Sequence, residues 1–357
     1  MPSAKGRDRS QGSRGRFIGR QMCRRNSRDN RWPTACVAGS AIILDPGGVL
    51  PSTRSSHGAS LTCRDLRRDG ALVTEFVELS GGRIACDVLG EGPLVLLAHG
   101  IGDHRQAYRD VAPRLVAAGY RVVNMDIRGH GESSLDWVSE TGRAAISRTD
   151  VARDMVEVIK HFGGPAVVVG HSISGGAATI VAATAPESVA GIVEINPFTL
   201  VQKFDVPGFF RVRRYRQGML RLGLAATGSL RWWLRYLDVA YPSKPADYAT
   251  YMAELAATLR EPGRMAEFMK TGKSTPADAQ AQLPNVGCPA LVIMGTSDPD
   301  FVDPTAEGEA VISAMPPGVG QLATMAGGHY LHSEKPEATN ELIVSFLETQ
   351  VPEHRIG

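Results

Sequence analysis

The segment that most constrains the fold is Ala166-Val-Val-Val-Gly170-His171-Ser172-Ile173-Ser174-Gly175-Gly176, running into Ala177-Ala-Thr-Ile-Val-Ala-Ala183. A β-branched apolar run of this length reads as a strand buried on both faces. It stops at a glycine, a serine follows two positions later, and small residues open a helical stretch. A strand-to-helix turn this sharp needs small neighbours, because larger side chains would collide across it. The turn lifts the Ser172 hydroxyl clear of the sheet and aims the backbone N–H of Ile173 at the place where an oxyanion would form. The spacing is Gly-x-Ser-x-Ser, with Ser174 where a second glycine is usual. An ordinary Gly/Ser-rich strand–helix loop is the competing reading of this segment taken alone.

Other short apolar runs supply the context. Val73–Leu79 is the first strand-like run. Leu94–Ala98 ends in His99-Gly100-Ile101-Gly102, and Arg121–Asp126 ends in Ile127-Arg128-Gly129-His130-Gly131-Glu132-Ser133. Val189–Ile195 and Ala290–Met294 follow the turn, the latter running into Gly295-Thr-Ser-Asp298, and Val319–Met325 is the last such run. Helical patterns separate them. Residues 107–118 put Ala107, Val111, Leu115 and Ala118 on one face, and 150–162 do the same with Val151, Met155, Val158 and Phe162. Alternating strands and helices predict right-handed crossovers and an open α/β sheet. Ligands of such sheets sit beyond the carboxyl ends of the strands, where His99, Asp126, Ser172 and Asp298 all fall.

In this order the pieces His99-Gly100, Asp126-x-Arg128-Gly129-x-Gly131-x-Ser133, Gly170-x-Ser172, Gly295-x-x-Asp298 and Gly328-His329 resemble the α/β-hydrolase superfamily. The resemblance spans residues 72–350 and is to its cofactor-independent branch of serine hydrolases: small esterases, C–C hydrolases and non-haem haloperoxidase-like proteins. It implies the α/β-hydrolase fold, with a mostly parallel central sheet, flanking helices and a helical lid inserted after the sixth strand. It implies neither cofactor nor metal.

Acyl transfer needs a nucleophile, a base, a group that orients the base, and oxyanion donors. Ser172 is the candidate nucleophile. Of nine histidines, only His329 and His332 lie between the last strand-like run and the helix starting near Pro336. His329, preceded by Gly327-Gly328, stands at the family's Gly-His position and is favoured. Asp298 takes the family's place for the acid, Asp300 is its competitor, and Asp303, before Pro304, reads as a helix N-cap. The backbone N–H groups of Ile101 and Ile173 are the expected oxyanion donors. Asp126, Arg128, Ser133 and His99 read as loop-tying residues, and His171 as packing under the turn. His99, His104, His130 and His171 lack paired ligand spacing for a metal. Haloalkane dehalogenases and epoxide hydrolases of this fold carry Asp at the turn, so Ser172 favours esters, thioesters, lactones, amides or activated C–C bonds.

Between Ile195 and Cys288 the strand pattern gives way to helical patches at 209–224, 230–239, 246–259 and 265–270. Residues 197–285 are therefore assigned to a cap, and residues 71–196 and 286–350 to the catalytic core. The aromatics of this region read mostly as packing between cap helices. Its arginines Arg211, Arg213, Arg214, Arg216 and Arg221 read as a solvated helix face.

The near-neutral total hides a polarity. The first 70 residues hold 14 Lys/Arg against 5 Asp/Glu, and the remainder 25 against 32. Residues 1–70 form an Arg-, Ser- and Gly-rich extension expected to be disordered. It shows no folded nucleic-acid reader, and no segment has the length of a membrane span. Five cysteines at 23, 36, 63, 86 and 288 show no paired spacing, which points to reduced thiols and a cytoplasmic setting. The expected activity is cleavage of an ester, lactone or related small, largely apolar carbonyl substrate through an acyl-enzyme. A perhydrolase-like activity and a slow-turnover ligand sensor with the same residues are the alternatives, and the oligomeric state is left open.

Overall fold

The computed structural model describes residues 42–43, 73–139 and 145–351. Nine strands, β1 (Ile42–Ile43), β2 (Val73–Leu79), β3 (Gly82–Leu89), β4 (Leu94–Ala98), β5 (Arg121–Met125), β6 (Ala166–His171), β7 (Val189–Ile195), β8 (Ala290–Gly295) and β9 (Gly320–Met325), form one sheet among the described residues. Their order is β1-β9-β8-β7-β6-β4-β5-β3-β2. Only β2–β3 and β3–β5 pair antiparallel; the other neighbours are parallel.

The central strands are apolar throughout because both faces are covered. On β4, Leu94, Leu96 and Ala98 join one core with Val168 and Met294, while Val95 and Leu97 join the other with Val167, Val169 and Ile293. Successive side chains on a strand point to opposite faces, so a continuous apolar run serves two cores at once.

Before β7 the helices are α1 (Ala112–Ala117), α2 (Arg148–Phe162) and α3 (Ile173–Thr184). Between β7 and β8 lie α4 (Val206–Arg211), α5 (Arg213–Ala225), α6 (Leu230–Ala240), α7 (Tyr248–Arg260), α8 (Arg264–Gly272) and α9 (Ala277–Gln282). After β8 come α10 (Pro304–Ser313), α11 (Leu331–Glu334) and α12 (Pro336–Gln350). The helical insertion thus follows the sixth strand counted from Val73.

Several expectations needed correction. The stretch 107–118 is a 3-10 turn, Arg105–Tyr108, followed by α1. Pro113 lacks an N–H and fits only a first helical turn, so the helix starts there. The patch 209–224 is two helices, α4 and α5, parted at Val212, whose backbone is extended. Strand β3 lacks a strong apolar signature because Cys86-Asp87 interrupts it. Buried Asp87 is satisfied by tertiary partners, Thr74 Oγ1 at 2.7 Å and Arg105 Nε at 2.9 Å. Of the extension, Ile42–Ile43 pair in parallel with Ala323–Thr324. The rest of residues 1–70, and with it the expectation of disorder, lies outside the described residues. Among the described residues no helix is long and apolar enough to cross a membrane.

The loop after β5 hangs on Asp126. One carboxylate oxygen accepts from the Arg105 N–H at 2.6 Å, the other from the Glu132 N–H at 2.8 Å, and the Arg105 guanidinium pairs with the latter. Ser133 Oγ donates to the Asp126 carbonyl at 2.8 Å and accepts from the Ala85 N–H at 3.0 Å. Arg128 grips Asp154 with two hydrogen bonds of 2.6 Å. These residues tie the loop.

Burial alone would raise the Asp126 carboxyl, but Arg105, His99 and His104 outweigh it and hold it below the ordinary aspartate value. A carboxyl depressed in the folded state stabilises above its unfolded pKa and loses that contribution as pH falls through its folded pKa. Urea unfolding should therefore show stability declining below about pH 4, with part of that slope missing in Asp126→Asn. Asp126→Ala, which takes one carboxylate from the buried Arg105 guanidinium and leaves it Asp87 and Glu132, should cost about 3 kcal/mol.

Candidate active site

Ser172 sits between β6 and α3 at φ 56° and ψ −115°, a region non-glycine residues rarely occupy. Its N–H donates to the Ile195 carbonyl at 3.0 Å, and its own carbonyl accepts from the N–H groups of Gly175 and Phe198, each at 3.1 Å. The turn is so tight that a Cβ at Gly170 would lie 2.2 Å from the Ser174 carbonyl oxygen. Ser174, the departure from the usual glycine, donates its hydroxyl to the His99 carbonyl at 2.6 Å. It therefore clamps α3 to the loop after β4, a role not legible in the Gly-x-Ser-x-Ser spacing.

His329 and Asp298 meet across the ends of β9 and β8. His329 Nδ1 lies 2.7 Å from Asp298 Oδ2 and 3.5 Å from Asp300 Oδ2. Asp300 has other business: its Oδ2 accepts from Tyr236 Oη at 2.7 Å, and its N–H donates to Asp298 Oδ1 at 2.9 Å. Burial favours the neutral imidazole, yet Asp298 and Asp300 outweigh it and push His329 up to about 9. Burial raises Asp300 well above the carboxylate range, and the neighbouring Asp298 charge raises it further against the pull of His329. Ligating atoms of Asp298, Asp300 and His329 lie within 4.8 Å of one another, which is the spacing a metal ion would need.

Asn196, which sequence reasoning passed over, holds the histidine loop. At φ 42°, it donates from Nδ2 to the carbonyls of Gly328 and His329 at 3.0 and 2.9 Å, and accepts the Gly295 N–H at 2.7 Å. His171 lies under the turn, 2.9 Å from the His329 carbonyl through Nε2. His99 Nε2 accepts from the Ile127 N–H at 3.1 Å, as a loop-positioning residue would. Asp303 caps α10 through the Ala306 N–H at 3.1 Å. His332 is fully buried and stacks on Tyr108.

Ser172, His329, Asp300, Ile101 and Ile173 line one cavity of about 520 Å³. The N–H groups of Ile101 and Ile173 have no acceptor among the described residues. The insertion supplies the opposite wall, with Met219, Leu222, Trp233 and Phe268 among its residues. It is anchored to the core by two of the cap aromatics, whose polar tips reach beyond the packing between cap helices expected of them. Trp233 Nε1 donates to the Gly102 carbonyl at 3.1 Å, and Tyr236 reaches Asp300. Arg214 is not on a solvated face: it donates to the carbonyls of Asp298 and Val302 at 3.2 and 2.8 Å.

Gly170→Ala should unfold the turn or shift Ser172, with a loss of several kcal/mol by urea denaturation, since backbone and not a movable side chain blocks the Cβ. Ser174→Gly should cost about 1 kcal/mol for the lost hydrogen bond and added chain freedom. A stability unchanged by either would contradict the packing described.

Residues 92–336 match the family model described as serine aminopeptidase, S33. A 2-(acetamidomethylene)succinate hydrolase of Mesorhizobium japonicum is 26% identical over 277 residues, covering 75% of this chain and 93% of that protein. Epoxide hydrolase B of Mycobacterium tuberculosis is 35% identical over 151 residues, 42% of this chain and 41% of that protein. Among solved structures, a putative epoxide hydrolase of Pseudomonas aeruginosa superposes with TM-score 0.63 at 21% identity, covering 80% of this chain and 98% of that one. A serine hydrolase involved in carbazole degradation gives 0.61 at 20% identity, covering 78% and 99%. The sheet order and the family match agree, and the chain belongs to the serine aminopeptidase S33 family of α/β-hydrolases.

Proposed function

We propose that the protein is a serine hydrolase that cleaves an ester, lactone or related carbonyl substrate through an acyl-enzyme on Ser172. The observation that carries this reading is the convergence on one cavity of a serine held at positive φ and an imidazole held by a carboxylate at 2.7 Å. Ser172 Oγ attacks the carbonyl carbon and its proton passes to His329 Nε2, since Nδ1 is committed to Asp298. The oxyanion forms against the free N–H groups of Ile101 and Ile173. The imidazolium then protonates the leaving group, and water, deprotonated by the same histidine, releases the acid and frees Ser172.

Asp298 orients and charge-stabilises the imidazole, while Asp300, bound to Tyr236, tunes its basicity. The α4–α9 insertion acts as a lid that walls the cavity with apolar surface and excludes water. The epoxide hydrolase relative does not redirect this reading. A serine attacking an epoxide would leave an ether, which the same machinery cannot hydrolyse, whereas its attack on a carbonyl leaves a cleavable acyl group.

A fluorophosphonate probe should label Ser172, with labelling abolished in Ser172→Ala and retained in Ser174→Ala; peptide mass mapping to another residue would refute the assignment. Asp298→Asn should lower kcat by about 10⁴, as loss of the orienting acid does in a protease triad, and Asp300→Asn by far less.

The base must be neutral to accept a proton, and His329 is held up near 9. The kcat/KM for a neutral ester should therefore climb from pH 7 towards pH 9. Asp300→Asn, which removes one of the charges holding the imidazolium, should move that climb to lower pH.

A further inference from the structure

We propose that Arg148 anchors a carboxylate carried by the substrate, so that this hydrolase prefers carbonyl substrates bearing an acid group on a short chain. The inference rests on the serine-hydrolase reading for its choice of substrate, and on Arg148 itself for the anion.

Arg148 opens α2, is 5% exposed, and lines the same cavity as Ser172. Its stem passes over Gly176, where a Cβ would meet Arg148 Cδ at 2.8 Å and Nε at 2.9 Å, so the glycine leaves room for it. Nε donates to the Phe198 carbonyl at 2.7 Å and Nη1 to Ser274 Oγ at 3.2 Å. Phe198 also donates its N–H to the Ser172 carbonyl at 3.1 Å, which puts a single residue between the guanidinium and the serine.

Among the described residues Arg148 has no counter-charge. Among the described residues the other well-buried arginines of the core are paired: Arg105 with Asp87 and Asp126, Arg109 with Asp247, Arg128 with Asp154. Among the described residues no carboxylate comes within ion-pair distance of Arg148, and Nη2 has no acceptor beside the bonds of Nε and Nη1. The carboxylate whose field it feels, Asp278, is engaged by the N–H and hydroxyl of Thr149 at 3.1 and 2.9 Å. Burial lowers Arg148 to about 10, opposed only by Asp278, so the side chain is still a cation at neutral pH.

A buried charge without a partner is costly and is rarely kept for packing alone. In a cavity, the partner can be the ligand. A guanidinium with a free nitrogen offers a carboxylate charge-assisted hydrogen bonds in low dielectric, where they are strongest. Lys273, exposed on the same cavity wall, adds positive charge. The structural alternative makes Arg148 a strut between the Phe198 loop and Ser274. Neutral donors would serve that role, and it gives no account of the missing carboxylate.

Monomethyl adipate and methyl hexanoate differ chiefly in the terminal acid and separate the two readings. The wild type should favour the hemi-ester in kcat/KM by about tenfold or more at low salt, and Arg148→Gln should reduce that ratio by at least about thirtyfold, with Arg148→Lys in between. A ratio near one in the wild type, or Arg148→Gln slowing both esters by the same factor, overturns the proposal. Adipate itself gives a readout free of turnover: it should raise Tm in the wild type and in Ser172→Ala, and not in Arg148→Gln. If Arg148→Gln fails to fold, the wild-type ratio and the adipate shift decide. Absent fluorophosphonate labelling would count against the Ser172 reading alone, and the adipate shift would still settle whether Arg148 holds an acid; no shift in the wild type would end the proposal.

Discussion

The rest of the site depends on the closeness of two backbone segments, Gly170 at the end of β6 and Ser174 in the first turn of α3. With 2.2 Å between a hypothetical Cβ and a carbonyl oxygen, the chain can make this turn only by leaving position 170 bare and forcing Ser172 to positive φ. The strain is met by four backbone hydrogen bonds at Ser172, which bind the turn to β7, to its own helix and to the loop after β7. The side chain is thereby fixed by the main chain, before any other residue of the site is in place.

Everything else is brought to that turn by loops at the carboxyl ends of the strands. Ser174 fastens the loop after β4, Asn196 fastens β8 to the histidine loop, and His171 packs beneath His329. The insertion is fastened in turn by Trp233, Tyr236 and Arg214, each of which reaches a group next to the catalytic candidates. Movement of the insertion would therefore be felt at Gly102, Asp300 and the Asp298 carbonyl, beside the cavity that Ser172 lines.

Charge is handled in two ways in this interior. Arg105, Arg109 and Arg128 are matched by carboxylates and hold loops in place. The site keeps its charges unmatched or shared: two carboxylates around one imidazole, and a guanidinium held by neutral acceptors. A protein interior tolerates such imbalance where ligand or reaction can complete it.

The doubly buried strands were legible in the sequence because an apolar β-branched run has few other places to go, and Leu94–Ala98 and Val189–Ile195 fall on the residues expected. The turn at Ser172 was legible for a similar local reason, since small residues flank it on both sides. Ser172, His329 and Asp298 could be nominated from order and spacing, but their sharing of one end of the sheet could not be read from any one segment, because Ser172 precedes the other two by more than a hundred residues. Strand β3 and the roles of Asn196, Ser174, Tyr236 and Arg214 were hidden for the same reason. Each is a polar residue whose meaning lies in a partner distant in sequence, and hydrophobic periodicity is blind to polar partners. Arg148 is the sharpest case: no sequence pattern marks it, and only the packed structure shows a buried cation with no carboxylate in ion-pair range among the described residues.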